Sequence, residues 1–360
     1  MSESPDKVNQ ALLDNDNEAL IHHIDKSVKD ETSLKIFTQL VFQFVVCNKR
    51  LINDNSPINH PIVILNSIKN LLSLRRNNPS THLLTYLVEY ALNLEPQKSV
   101  LSWAAVSDEE LNQPAFVMDF SQSLENSDKE KTLFEASKLV KLSDNKFYLM
   151  DVLLESALYC QDELIFDGFA FHRAAVFSGN DFADQFLLNF LEAVMNHQIT
   201  GKKFSGVEDF DIHEIASYIL KTNDLKSVLM YATLERIWNL ESVKKRDLRS
   251  AVLYKHMEAY ETFHVNSNGK FERTKSSHNI IDAFTSENKN ILSSVIYQNQ
   301  EESNRSWAVE LAGYWLSEDK DILPSQFVML DAIQHLCHVL HPGQLRELSS
   351  LLLNIQKEVQ

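Results

Sequence analysis

The chain has 360 residues, of which 44% are hydrophobic, 23% are charged and only 7 are glycine. So few glycines leave no cluster from which a phosphate-cradling or dinucleotide-binding loop can be built. The 34 Lys and Arg against 50 Asp and Glu give a formal net charge of -16, which repels phosphate backbones and anionic lipid headgroups, so neither a nucleic-acid nor a membrane partner is expected.

The N-terminal Met-Ser-Glu-Ser-Pro-Asp is acidic and polar where a secretory signal carries a basic start and an apolar run. Residues 34–47 are the densest apolar stretch, but Lys35, Thr38, Gln39 and Gln43 interrupt it. A cytoplasmic protein is expected. Cys47, Cys160 and Cys337 form no CxxC pair, which predicts reduced core thiols rather than a disulfide framework or a cysteine zinc site.

In chain order, apolar spacing of three and four residues predicts helices at 33–51, 61–76, 80–94, 97–105, 113–125, 128–142, 146–160, 162–177, 180–197, 211–221, 224–240, 242–264, 276–297, 303–317, 324–340 and 342–357. Local signals mark several starts: Ser4-Pro5, Thr32-Ser33, Ser80-Thr81, Ser107 followed by Glu110, Asp224, and Pro342. Turns are written in Asn, Asp, Ser and Pro. The segment holding His22 and His23 reads as polar surface, and the aromatic runs Phe37, Phe42, Phe44 and Phe182, Phe186, Phe190 read as core.

No alternating strand pattern stands out, so the fold class is all-α. Antiparallel helix pairs stacked side by side are expected, either as an irregular α-superhelix or as a multi-helix bundle. No two pairs share a repeating signature. The polar stretch 200–211 suggests a division into an N-terminal helical region, 1–199, and a C-terminal one, 200–360, within what can equally be one domain. A second polar stretch, 265–277, reads as an exposed loop.

Enzyme signatures are incomplete. Gly201 and Gly206 have P-loop spacing, but Val207 and Glu208 stand where Lys and Ser or Thr are needed; His213-Glu214 begins a zincin motif that Ser217 breaks. No GxSxG elbow is present. Histidine is the remaining chemical resource, with 13 in the chain.

Asp331, His335 and His338 fall at i, i+4 and i+7 on one helix face, the donor set of a facial-triad iron or catalytic zinc site. Because Leu330, Ile333, Cys337 and Leu340 form the opposite stripe, that face is expected to be wet. His256, Tyr260 and His264 form an inward stripe able to move protons in a cavity. Glu261 and His264 make one Glu-x-x-His pair, half of what a di-iron bundle requires. His60 and His172 stand at a helix start and after an aromatic run, and Lys244, Lys245, Arg246 and Arg249 form the one basic cluster.

Two functions fit. The first is a scaffold or protein-interaction module that receives a protein partner in a groove between helices. The second is a helical metal-dependent oxidoreductase or oxygenase, using iron or zinc in a histidine-lined pocket. Substrate, partner identity and oligomeric state are not encoded in periodicity.

Overall fold

The structure, a computed structural model, describes residues 5–51, 57–97, 101–160, 164–197, 199, 216, 219–220, 224–240, 278–318 and 322–357. The first half contains α1 (Pro5–Asp14), α2 (Asn17–Ser27), α3 (Glu31–Asn48), α4 (Pro61–Ser73), α5 (Thr81–Asn93), α6 (Asp108–Leu111), α7 (Val117–Glu125), α8 (Lys129–Leu142), α9 (Phe147–Leu158), α10 (Leu164–Ser178) and α11 (Ala183–Met195). The second contains α12 (Leu225–Trp238), α13 (Ile280–Thr285), α14 (Lys289–Glu301), α15 (Trp307–Glu318), α16 (Pro324–Val339) and α17 (Leu345–Lys357). Among the described residues the only β pairing is two isolated bridges, Lys49 with Pro96 and Cys160 with Ile199. The all-α expectation holds.

The helix ends follow local chemistry. Ser80 and Asp224 cap α5 and α12, and Ser107 with Glu110 forms the capping box of α6. His60 is a less usual cap: its imidazole Nδ1 accepts from the Ile62 amide, with Pro61 in the first turn of α4. The cap of α3 is Asp30, ahead of the predicted Thr32-Ser33.

Three helix corners share one device. Asn15, Ser127 and Glu287 adopt left-handed backbone with φ of 54, 57 and 52°, and the next residue in each case, Asp16, Asp128 or Asn288, caps the following helix. The amides of Asp16 and Asp128 also reach back to Ala11 and Ser123 (both 3.0 Å), closing a Schellman-type end without glycine. Two residues thus end one helix and start the next. At Glu287 this divides the predicted 276–297 helix into α13 and α14, because the Asn288 side chain accepts from the amides of Asn290 and Ile291.

Other expectations change. Residues 101–107 are not helical where the 97–105 helix was predicted; Ala104 donates its amide to Ser137 Oγ at 2.8 Å and Trp103 packs on the core, so α8 holds the segment extended. The N-terminal segment is not all surface. It forms α1 and α2, which bury Val8, Leu12, Leu20, His23 and Ile24 while His22 stays exposed. Phe182 is exposed, in a 3-10 turn ahead of α11, whereas Phe186 and Phe190 are fully buried. Cys160 and Cys337 are buried free thiols, but Cys47, on the last turn of α3, is exposed.

At the centre lies α4, with eleven of its thirteen residues buried. It packs against α5, α10 and α16, while α10 also packs against α3, α9, α11 and α12. α16, near the C-terminal end of the described chain, therefore lies directly on α4, near its start. Such contacts belong to a multi-helix bundle rather than to a solenoid whose pairs touch only neighbours. Helices from both sides of residue 200 contribute to one hydrophobic cluster running from Val8 to Ile355. The stretches 200–211 and 265–277 themselves lie outside the described residues.

The closest packing is at Gly168 on α10. A Cβ there would lie 2.7 Å from Phe190 Cζ and 3.3 Å from Ala157 Cβ, and Phe190 cannot retreat because it stacks on Phe171. Gly168→Ala is therefore expected to destabilise the fold by about 1–3 kcal/mol, read as a lowered urea midpoint with unchanged slope.

Candidate functional sites: a buried polar junction and a surface groove

Where α4, α10, α12 and α16 meet, the core turns polar. Asp331 on α16 is 3% exposed. Arg236 on α12 grips it with both guanidinium nitrogens, Nη1 to Oδ2 and Nη2 to Oδ1 at 2.9 Å each, and Nη2 also donates to the Asp331 carbonyl at 3.0 Å. Asn70 on α4 donates to Oδ2 at 3.0 Å. One turn along α16, His335 Nε2 donates to the buried carboxylate of Glu235, which also accepts from Asn239. Burial, then the charge of Arg236, pulls the His335 imidazole below its ordinary range despite Glu235.

Lys69 on α4 is also buried. Its ammonium donates to Asn66 and lies 5.2 Å from the Phe177 ring centroid on α10. Burial first, and then the positive charge of Arg173, brings it down to about 7. Arg173 stands one turn before Phe177 on α10, and burial with the charge of Arg236 lowers it as well.

The face of α16 bearing Asp331, His335 and His338 is expected to be wet, yet Asp331 is buried and the two histidines are only partly exposed. α4 and α12 pack against this helix, so Asp331 is buried along with Leu330, Ile333 and Cys337 of the opposite stripe. His338 Nε2 is buried without a hydrogen-bond partner, and burial with the charge of Arg305 holds its imidazole at about 4. Both Asp331 oxygens accept from protein donors, and His335 points at Glu235. Among the described residues no three His, Cys, Asp or Glu side chains are grouped to hold a metal ion. His256, Tyr260 and His264, with Glu261 and the basic cluster 244–249, lie outside the described residues.

The other buried histidines keep separate company. His172 Nε2 donates to Asp151 Oδ1 at 3.0 Å. His60 Nδ1 lies 3.7 Å from Asp167 Oδ1, with the His60 ring edge-on to Phe171 at 5.8 Å. Burial lowers His60 to about 4 and raises Asp167 well above the carboxylate range. His60 and Asp167 are therefore both held toward their neutral forms inside the core, while His172 Nδ1 is buried without a hydrogen-bond partner.

A surface groove runs between α2 and α5, with a volume of about 460 Å³. Leu20, Ile24 and Val88 are buried along it, Ile21 stands 57% exposed, and Leu92 with Asn15, Asn17, Thr85, Glu89 and Asn93 lines the rest. Sequence reasoning missed it because no helix was drawn at α2. The signal was present as Leu20 and Ile24 at i, i+4 behind the Asp16 cap.

Two measurements test the buried groups. Asp331→Ala leaves the largely buried Arg236 unpaired and should cost about 3 kcal/mol in urea unfolding; the double change Asp331→Leu with Arg236→Met should cost less than that single change. For His60, the unfolded chain binds a proton near pH 6.5 that the native imidazole refuses until about pH 4, so stability falls as pH drops through that window, by on the order of 3 kcal/mol. His60→Asn keeps a capping acceptor and removes this loss. Between pH 7 and 4.5 the wild type should lose more stability than the variant, as followed by urea midpoints.

No protein-family model, no curated protein and no solved structure matches the chain.

Proposed function

We propose that the chain is a non-catalytic interaction module that receives a basic, amphipathic helix of a protein partner in the groove between α2 and α5. The observation that carries this reading is the groove itself, with the buried Leu20, Ile24 and Val88 closing its floor and Ile21 left uncovered at its edge. Such a groove, with Ile21 as its exposed apolar contact, suits a helix presenting apolar side chains at i, i+3 or i+4 and i+7.

The surroundings select its charge. Asp14, Asp16, Glu18 and Glu89 are exposed in or next to the segments that line the groove, and the whole chain carries -16. Lys and Arg flanking the apolar face of the partner would be steered in and held at the rim. The histidine-based metal reading has no comparable support, because the carboxylate it relies on is held by Arg236.

Selection of helical ligands from a random peptide-display library against the full chain tests the proposal. The expected outcome is enrichment of sequences with basic flanks whose affinity falls roughly tenfold or more on Ile21→Asp, while thermal stability is unchanged because Ile21 is already exposed. Enriched ligands that are acidic, or that bind the variant equally well, would overturn it.

A further inference from the structure

Two positive charges enter the junction of α4, α10 and α12 without a carboxylate of their own. Asp331 is saturated by Arg236 and Asn70, and Glu235 by His335 and Asn239. That leaves Lys69 with only the Asn66 amide oxygen and the Phe177 ring. Among the described residues Arg173 has no hydrogen bond or ion pair, and it retains part of its surface in solvent. On α16, three residues after Asp331, Gln334 Nε2 is a buried donor with no partner.

A folded core seldom carries unpaired donors and uncompensated cations side by side, because each costs desolvation that nothing returns. Here Lys69 lies against the Phe177 ring, and Arg173, one turn before Phe177 on α10, keeps part of its surface in solvent. We propose that Lys69 and Arg173, backed by Arg236, form a binding site for the phosphate group of a small molecule.

The charges match. A phosphate monoester carries about -1.5 to -2 near pH 7, which offsets the Arg173 guanidinium and favours the charged form of Lys69, which burial has brought down to about 7. The planar guanidinium of Arg173 supplies a fork of donors, and the Lys69 ammonium a point charge with two hydrogens still to give. Lys69 cannot swing away, since Asn66 and Phe177 hold it from either side.

Inorganic phosphate is the probe. Thermal unfolding of the full chain at low ionic strength, with phosphate titrated against a chloride series of matched ionic strength, should show a saturable rise in Tm of about 2–4 °C or more. Lys69→Met and Arg173→Gln should each abolish it. Lys69→Met removes a buried ammonium and keeps the shape of its stem, so this variant is expected to fold at least as stably as the wild type without phosphate; near-UV circular dichroism confirms that both variants are native. A wild type that responds no more to phosphate than to chloride overturns the proposal, and so does a rise that persists in both variants.

Discussion

Burying Asp331 is tolerable only because Arg236 meets it with both nitrogens, and this ion pair fixes how α12 and α16 lie on α4. A carboxylate in an apolar interior carries a desolvation cost of several kcal/mol, which a single well-formed bidentate partner with a further hydrogen bond can return. Asn70 supplies that further bond from α4. Any slip of α16 by one residue would rotate Asp331 away from Arg236 and leave both charges stranded. Apolar packing alone tolerates many registers among leucine-rich helices, whereas a buried charge pair tolerates few.

The remaining buried polar groups follow the same logic at smaller scale. His172 with Asp151, His335 with Glu235 and His60 with Asp167 each place an imidazole beside a carboxylate contributed by a different helix or by a helix cap. These pairs tie α9 to α10, α12 to α16 and the start of α4 to α10. Three of the 13 histidines, which in the sequence suggest chemistry, are spent on orienting helices. The junction around Lys69 departs from the pattern, since cations there outnumber the carboxylates that can answer them.

The scarcity of glycine shapes the corners. Asn15, Ser127, Glu287 and Ser303 take left-handed backbone that glycine would adopt without strain, at a cost of about 1 kcal/mol or more each. Capping by Asp16, Asp128 and Asn288 immediately afterwards offsets part of that cost, because each supplies an acceptor to the next helix's free amides. The turns are consequently short, and the groove between α2 and α5 is lined mainly by side chains on helix faces.

The sequence by itself determined the all-α class, most helix positions and the absence of glycine-built ligand loops, because helix period and capping are local properties that nearby residues carry in full. Ser80, Ser107 and Asp224 cap as their spacing predicts. Only tertiary structure decided that Asp331 is buried and answered by Arg236, that His335 reaches Glu235, and that α2 and α5 leave a groove between them. Periodicity assigns each helix an apolar and a polar face, but it is silent on which neighbour covers either one. The partner of Asp331 lies 95 residues away on another helix, at a distance in sequence that no local pattern spans.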